Sequence, residues 1–391
     1  MDLVLNPNLR ITPIDEQGPA YAISAPVRGR GLRGDVISRA HHGELFEVLE
    51  RLLGRTGEKH VELTDEHERA LRRLGIFVPP REVSRSVQLM HLPKRGPARA
   101  PRRAAPAGAL QLNPAARFGG REEVLDSEQD PELGKRLSSE HSLAWVPERR
   151  TGVLVPVHLD ARHRELLGRL SGSPEARQGR YPPALVAELE AAGLLLPRSD
   201  SRELPTGPSP DERRSFREHG YAIVEGLFSR SFCFALSTYF RELRAQGFLK
   251  AGDGQVPLRH VLHGETVTSF LHRQLPPFVA ALVGCPVKPS YCYIAEYMPG
   301  AVLKRHVDRP QCEFTISLLV DFLPRPEGKC SWPLWLSPTG EDRLGVRLAI
   351  GDAVIYKGRE IAHWRNALAP GKRSISIFFH FVPGSFTEAL T

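Results

Sequence analysis

The sequence predicts an α+β protein: two small helix–helix–strand units, then a C-terminal sandwich of antiparallel strands buttressed by helices. Three observations predict it. A gap-free shift of 118 positions lays Leu49, Leu52, Gly54, Leu71, Gly75, Phe77 and Pro79 over Leu167, Leu170, Gly172, Leu189, Gly193, Leu195 and Pro197. Apolar residues recur at helical spacing across 229–245 and 267–283. From Lys288 onward, short apolar runs separated by turn residues read as strands.

The elements follow in order. Tyr21-Ala22-Ile23 predicts a strand, residues 42–53 a helix ending at Gly54, and Thr64 an N-cap for a helix to Leu74. Ile76-Phe77-Val78 then predicts a strand before Pro79-Pro80. These elements define a first domain, 1–85, and a basic Pro/Ala/Gly-rich linker, 86–137, separates it from the second copy, 138–200. After the Pro-rich boundary 205–210 comes the last domain, 208–391. It opens with a strand, Gly220–Glu225, and a helix, 229–245, with Phe232, Leu236, Tyr239, Phe240 and Leu243 on one face. A second helical stretch, 267–283, is expected to break at Pro276-Pro277. Strands are expected at 313–322 (Phe314, Ile316, Leu318, Val320 and Phe322 on one side), 332–336, 346–350, 353–356 and 374–382.

Composition narrows the function. The net charge is +8, but Lys94, Arg95, Arg99, Arg102 and Arg103 sit together in the linker, so the excess does not describe a folded basic face. The first residues lack a basic-then-apolar pattern, and no run reaches 18 apolar residues, so neither a signal peptide nor a membrane span is expected. The five cysteines include no C-x-x-C pair, which suits a reducing cytoplasm better than a disulfide framework or zinc knuckle.

The chemistry-bearing stretch is 297–382. His306 and Asp308, two apart on a strand, share a face. With His363 they make two imidazoles and one carboxylate, the donor set of non-haem Fe(II) sites with open positions. A bidentate 2-oxo acid and dioxygen would fill those positions. The acid's second carboxylate needs a buried cation, for which Arg373 leads and Arg365 is the rival.

Tyr297-Met-Pro-Gly300, His306-Val-Asp308, Gly351-Asp-Ala-Val-Ile-Tyr356, and His363 with a base ten residues on resemble the Fe(II)/2-oxoglutarate-dependent oxygenases, in particular the prolyl hydroxylases, over about 210–385. The resemblance implies a double-stranded β-helix (jelly roll), iron held by His306, Asp308 and His363, and a cosubstrate site with Arg373 or Arg365 and Tyr297. It also implies hydroxylation coupled to conversion of 2-oxoglutarate to succinate, with dioxygen consumed and ascorbate as reductant. Two departures stand out. Leu303 occupies the place of a cosubstrate-binding tyrosine. The usual Arg-x-Ser pair is absent, because Arg373 is followed by Ser374 and Ser376 at plus one and plus three. If those serines face inward, Arg365 becomes the anchor.

The repeated units resemble winged helices, in particular small modules that hold peptides for peptide-modifying enzymes. Their second helices mix Asp65, Glu66 and Glu68 with Arg69, Arg72 and Arg73, or carry Glu188 and Glu190 with no base, which disfavours DNA reading. The expected substrate is therefore a peptide or carrier-bound amino acid. The alternatives are a non-catalytic jelly-roll binding protein or a nucleic-acid demethylase. Oligomeric state is not legible. His260, His263, His380, Cys312, Trp332, Trp335 and Trp364 are read first as structural.

Overall fold

The structure, a computed structural model, describes residues 3–14, 19–53, 63–92, 110–119, 133–137, 141–171, 182–197, 207–339 and 342–390. Gly54, Gly172, the basic residues 94–103 and much of the remaining linker lie outside them. The chain forms two compact units, one of Met1–Val87 with Phe240–Asp253 and His260–Leu262, the other of the remaining residues.

In the first unit, β2 (Arg10–Ile14), β3 (Ala20–Val27) and β4 (Gly31–Ser38) form an antiparallel sheet, followed by helices Gly43–Leu52 and Asp65–Arg73. β1 (Val4–Leu5) pairs with β5 (Phe77–Val78). Tyr21, Ile23, Phe46, Leu49 and Leu71 close the core. Thr64 caps the second helix as expected, its Oγ1 accepting from His67 N at 3.2 Å. Gly75 ends the helical region at φ 74°, a conformation that suits glycine.

The second unit contains the same arrangement. β7 (Arg117–Phe118), β8 (Ser142–Pro147) and β9 (Leu154–Leu159) form the sheet, helices Ala161–Ser171 and Pro183–Ala191 follow, and β10 (Leu195–Pro197) pairs with β6 (Leu110–Leu112). Gly193 repeats the φ of Gly75. The likeness reaches single hydrogen bonds. Asn6 Nδ2 donates to Gly75 O at 3.0 Å, and Asn113 Nδ2 donates to Gly193 O at 2.8 Å. Leu-Asn-Pro stands at 5–7 and again at 112–114, a spacing different from that of the helices, so a gap-free comparison misses it.

This second copy packs directly on the C-terminal elements. Trp145, fully buried, lies edge-on to Phe270 at 5.7 Å. Gln274 Oε1 accepts from Leu154 N at 2.9 Å. Ser229 donates to Glu148 through both N and Oγ, each at 2.8 Å.

A helix absent from the sequence reading, Pro210–His219, starts with a capping box between Ser209 and Glu212. The other helices run Arg230–Ala245, Thr266–Gln274 and Pro276–Val283, the last pair divided at Pro276 as expected. β12 (Lys250–Ala251) pairs with β13 (Arg259–His263). The larger sheet contains, in spatial order, β11 (Tyr221–Val224), β19 (Ala353–Lys357), β16 (Phe314–Leu323), β21 (Arg373–Pro383) and β14 (Val287–Tyr297), all antiparallel. Opposite it stands the order β15 (Leu303–His306), β20 (Ala362–Arg365), β17 (Leu334–Ser337), β18 (Leu344–Val346). β18 ends at Val346, where the sequence predicted a strand to begin. The expected single apolar face of β16 is also corrected. Its register shifts between Leu319 and Asp321, so Phe314 stands opposite Phe381 while Phe322 stands opposite Ser374. One extra residue in a strand sends later side chains to the other face.

Candidate metal and cosubstrate site

β15 and β20 pair so that His306 stands directly opposite His363, and the two rings come to 4.3 Å between centroids. Asp308 follows the end of β15, its N–H bonded to Gly358 O at 2.8 Å. Its Oδ1 lies 3.7 Å from His306 Nε2 and 3.5 Å from His363 Nε2. The structure thus brings the three expected donors within 4.8 Å of one another.

Both imidazoles are held by backbone carbonyls. His306 Nδ1 lies 2.8 Å from Lys304 O, and His363 Nδ1 lies 3.0 Å from Ile361 O. A carbonyl oxygen only accepts, so each Nδ1 donates to it, and each Nε2 is the ring nitrogen turned toward Asp308. Thr315 Oγ1 donates to Asp308 Oδ2 at 2.8 Å, leaving Oδ1 for the imidazoles. Burial pushes the Asp308 carboxyl up, but His363, with help from His380 and Thr315, outweighs it and holds the group below the ordinary carboxylate value. Burial, then the neighbouring His363, lowers the pKa of His306. Two imidazole nitrogens and a carboxylate are a donor set that suits Fe(II). Gly358 makes room for them. A Cβ there would lie 2.4 Å from Asp308 Oδ2, 2.4 Å from Cys312 O and 2.8 Å from Thr315 Oγ1.

A cavity of about 300 Å³ opens on these donors. Tyr291, Tyr293, Tyr356, Phe378 and His380 contribute from the larger sheet, and Leu303 and Leu334 from the smaller. Phe378 and His380 fix the inward face of β21 as the even-numbered one. Ser374 and Ser376 therefore face inward, each 1% exposed and each with an Oγ that has no hydrogen-bond partner.

That register separates the two candidate arginines. Arg373, the leading candidate from sequence, is exposed and lies on the odd-numbered face of its strand. Arg365 is 4% exposed and on the His363 face of β20. Its guanidinium lies 4.5 Å from the Trp332 ring centre, and its Nη1 donates to Trp332 O at 3.0 Å. Its Nε has no partner. Tyr297, fully buried, packs edge-on against Trp332 at 5.1 Å and stands opposite Ser374 in the β14–β21 ladder. The Tyr297 hydroxyl accepts from Arg259 Nη1 at 3.2 Å. Arg259, only 6% exposed, was missed because nothing in its local sequence marks it as buried.

The remaining candidates separate. Trp332 belongs to this interior, whereas Trp335 and Trp364 stack on each other at 6.2 Å, on the face of the smaller sheet turned away from His363. His263 stacks on Tyr293 at 4.9 Å. Cys312 Sγ lies 3.1 Å from Tyr291 Oη. His380 is held by Thr315 through Nδ1 at 3.0 Å, but its buried Nε2 has no partner. Among the described residues no helix is long and apolar enough to cross a membrane.

No protein-family profile and no curated protein matches the sequence. Solved structures do. A prolyl-4-hydroxylase from Pseudomonas putida matches at TM-score 0.36 and 18% identity over 44% of this chain and 97% of that one. HygX from Streptomyces hygroscopicus, with nickel and 2-oxoglutarate bound, matches at 0.38 and 12% over 46% and 90%. A prolyl hydroxylase from Trichoplax adhaerens, in complex with a hypoxia inducible factor peptide fragment, matches at 0.37 and 15% over 43% and 86%. The structural neighbours include 2-oxoglutarate/Fe(II) oxygenases, prolyl hydroxylases among them.

Proposed function

We propose that this chain is an Fe(II)- and 2-oxoglutarate-dependent hydroxylase built on a double-stranded β-helix. The observation that carries the reading is the convergence of His306 Nε2, His363 Nε2 and Asp308 Oδ1, with both Nδ1 protons tied to backbone carbonyls. Bound there, the metal with 2-oxoglutarate and dioxygen would supply oxidising power for insertion of one oxygen atom into a C–H bond, the other entering succinate as carbon dioxide is released. The chain's own residues do the rest. His306, Asp308 and His363 would hold the ion. Arg365, with Ser374 and Ser376 across the interior, receives the distal carboxylate of the 2-oxo acid. A buried guanidinium is suited to that task because it stays charged and donates in a planar fork. Tyr297 and Trp332 keep water from that end, and Thr315 holds Asp308 in its binding orientation.

The substrate reading is a peptide or a carrier-bound amino acid. The two repeated N-terminal modules support it, since a small free metabolite would need neither. The test is succinate release by purified protein given Fe(II), ascorbate and 2-oxoglutarate. Turnover that His306→Ala and His363→Ala abolish supports the hydroxylase. Absence of both metal binding and succinate in the unaltered protein would leave a non-catalytic binding protein as the better account.

A further inference from the structure

The cavity holds a second donor group that the proposed reaction does not use. Asp308, Cys312 and His380 place one ligand atom each within 4.8 Å of one another. Cys312 and His380 are 1% and 3% exposed. His380 is oriented as metal-binding imidazoles are, with Nδ1 held by the Thr315 hydroxyl and Nε2 buried without a partner. A buried polar atom without a partner is costly unless something answers it. Tyr291 Oη, 3.1 Å from Cys312 Sγ, adds a fourth donor atom, an oxygen.

The geometry points to a second metal site, formed by Cys312, His380 and Asp308, that takes a borderline-soft divalent ion of the zinc and cobalt class beside the iron position. The donor set explains the choice. Thiolate and imidazole favour Zn(II) and Co(II), and four-coordinate sites with sulfur, nitrogen and oxygen donors are ordinary for these ions. Asp308 is common to both groups, so its carboxylate would bridge the two ions, as carboxylates do in paired-metal centres. Binding ionises the Cys312 thiol: a metal–sulfur bond forms, the S–H bond breaks and the proton leaves to solvent, with no change of oxidation state.

The site rests on Cys312 and His380, not on the oxygenase reading, and the test keeps the two apart. Metal-free full-length protein is titrated with Co(II), with bound cobalt counted by elemental analysis and absorbance followed into the near ultraviolet. The expected result is two Co(II) per chain and one thiolate-to-cobalt charge-transfer band. Cys312→Ser should lose the band and retain one Co(II). His380→Gln should weaken the second ion at least tenfold and leave the first. His306→Ala and His363→Ala should lose the first ion yet keep the band. Uptake of only one Co(II) by the unaltered protein, absence of the band, or its persistence in Cys312→Ser would overturn the second site whether or not the protein makes succinate.

Discussion

Replacing Arg365 by alanine should remove most of the affinity for 2-oxoglutarate without disturbing the metal donors. Arg365 is nearly fully buried, and in the structure its guanidinium meets one carbonyl, Trp332 O, while its Nε has no partner. A carboxylate accepting two charge-assisted hydrogen bonds there gains about 1.5–3 kcal/mol from each. Their joint loss, about 3–6 kcal/mol, weakens binding by about two to four orders of magnitude at about 1.4 kcal/mol per tenfold. Arg365→Lys keeps the charge but not the planar fork, so it should fall between. Arg373→Ala, altering an exposed side chain on the other strand face, should change affinity by less than about threefold, within the ±0.5 kcal/mol usual for surface substitutions. The assay is calorimetric titration of 2-oxoglutarate into Mn(II)-loaded protein, with thermal melting as a control for folding. Strong loss in Arg373→Ala with normal binding in a folded Arg365→Ala would refute the reasoning.

Three further outcomes follow from the structure. Gly358→Ala puts a methyl group 2.4 Å from Asp308 Oδ2 and from Cys312 O; it should cut Fe(II) affinity at least tenfold, measured by metal competition, even where the protein stays folded. Trp145→Ala opens a cavity beside Phe270 and should cost about 3–5 kcal/mol in denaturant unfolding; because this residue joins the second repeat to the C-terminal elements, removing residues 1–200 should prevent folding of 208–391. Glu148 is pushed up from 4.5 to about 7, chiefly by burial. A raised carboxyl pKa favours the folded state below the unfolded value and loses that benefit as pH rises through about 7, here up to about 3 kcal/mol. The melting temperature of Glu148→Gln relative to the native protein should therefore rise between pH 5 and pH 8, because the variant escapes the cost of the buried carboxylate.

Much of the architecture was legible because it is periodic. Helices Gly43–Leu52, Arg230–Ala245 and Pro276–Val283 carry their apolar residues at helical spacing and end near glycine, and the Pro276 break follows from ring geometry alone. β4 was not legible, since Gly31-Leu-Arg-Gly-Asp has neither alternation nor branched residues; it is a strand because β3 pairs with it along its length. Helix Pro210–His219 was missed despite the Ser209–Glu212 capping pair, because prolines before it read as a boundary. At the candidate site, the ligand spacing His306-x-Asp308 could be read from period two, and His363 opposite His306 is a matter of register that only pairing reveals. The choice between Arg373 and Arg365 depended on which face of β21 looks inward, a one-residue question that composition cannot answer. Gly358 and Arg259 act through distant neighbours, and their short-range sequence carries no sign of it.

The most direct test of the central claim is an anaerobic titration of the metal-free protein with Fe(II) and 2-oxoglutarate, followed by the visible charge-transfer absorption that a 2-oxo acid gives when chelated to Fe(II). One such chelate per chain is expected, absent in His306→Ala, Asp308→Ala and His363→Ala. No absorption in the native protein, or absorption that survives in those variants, would contradict it.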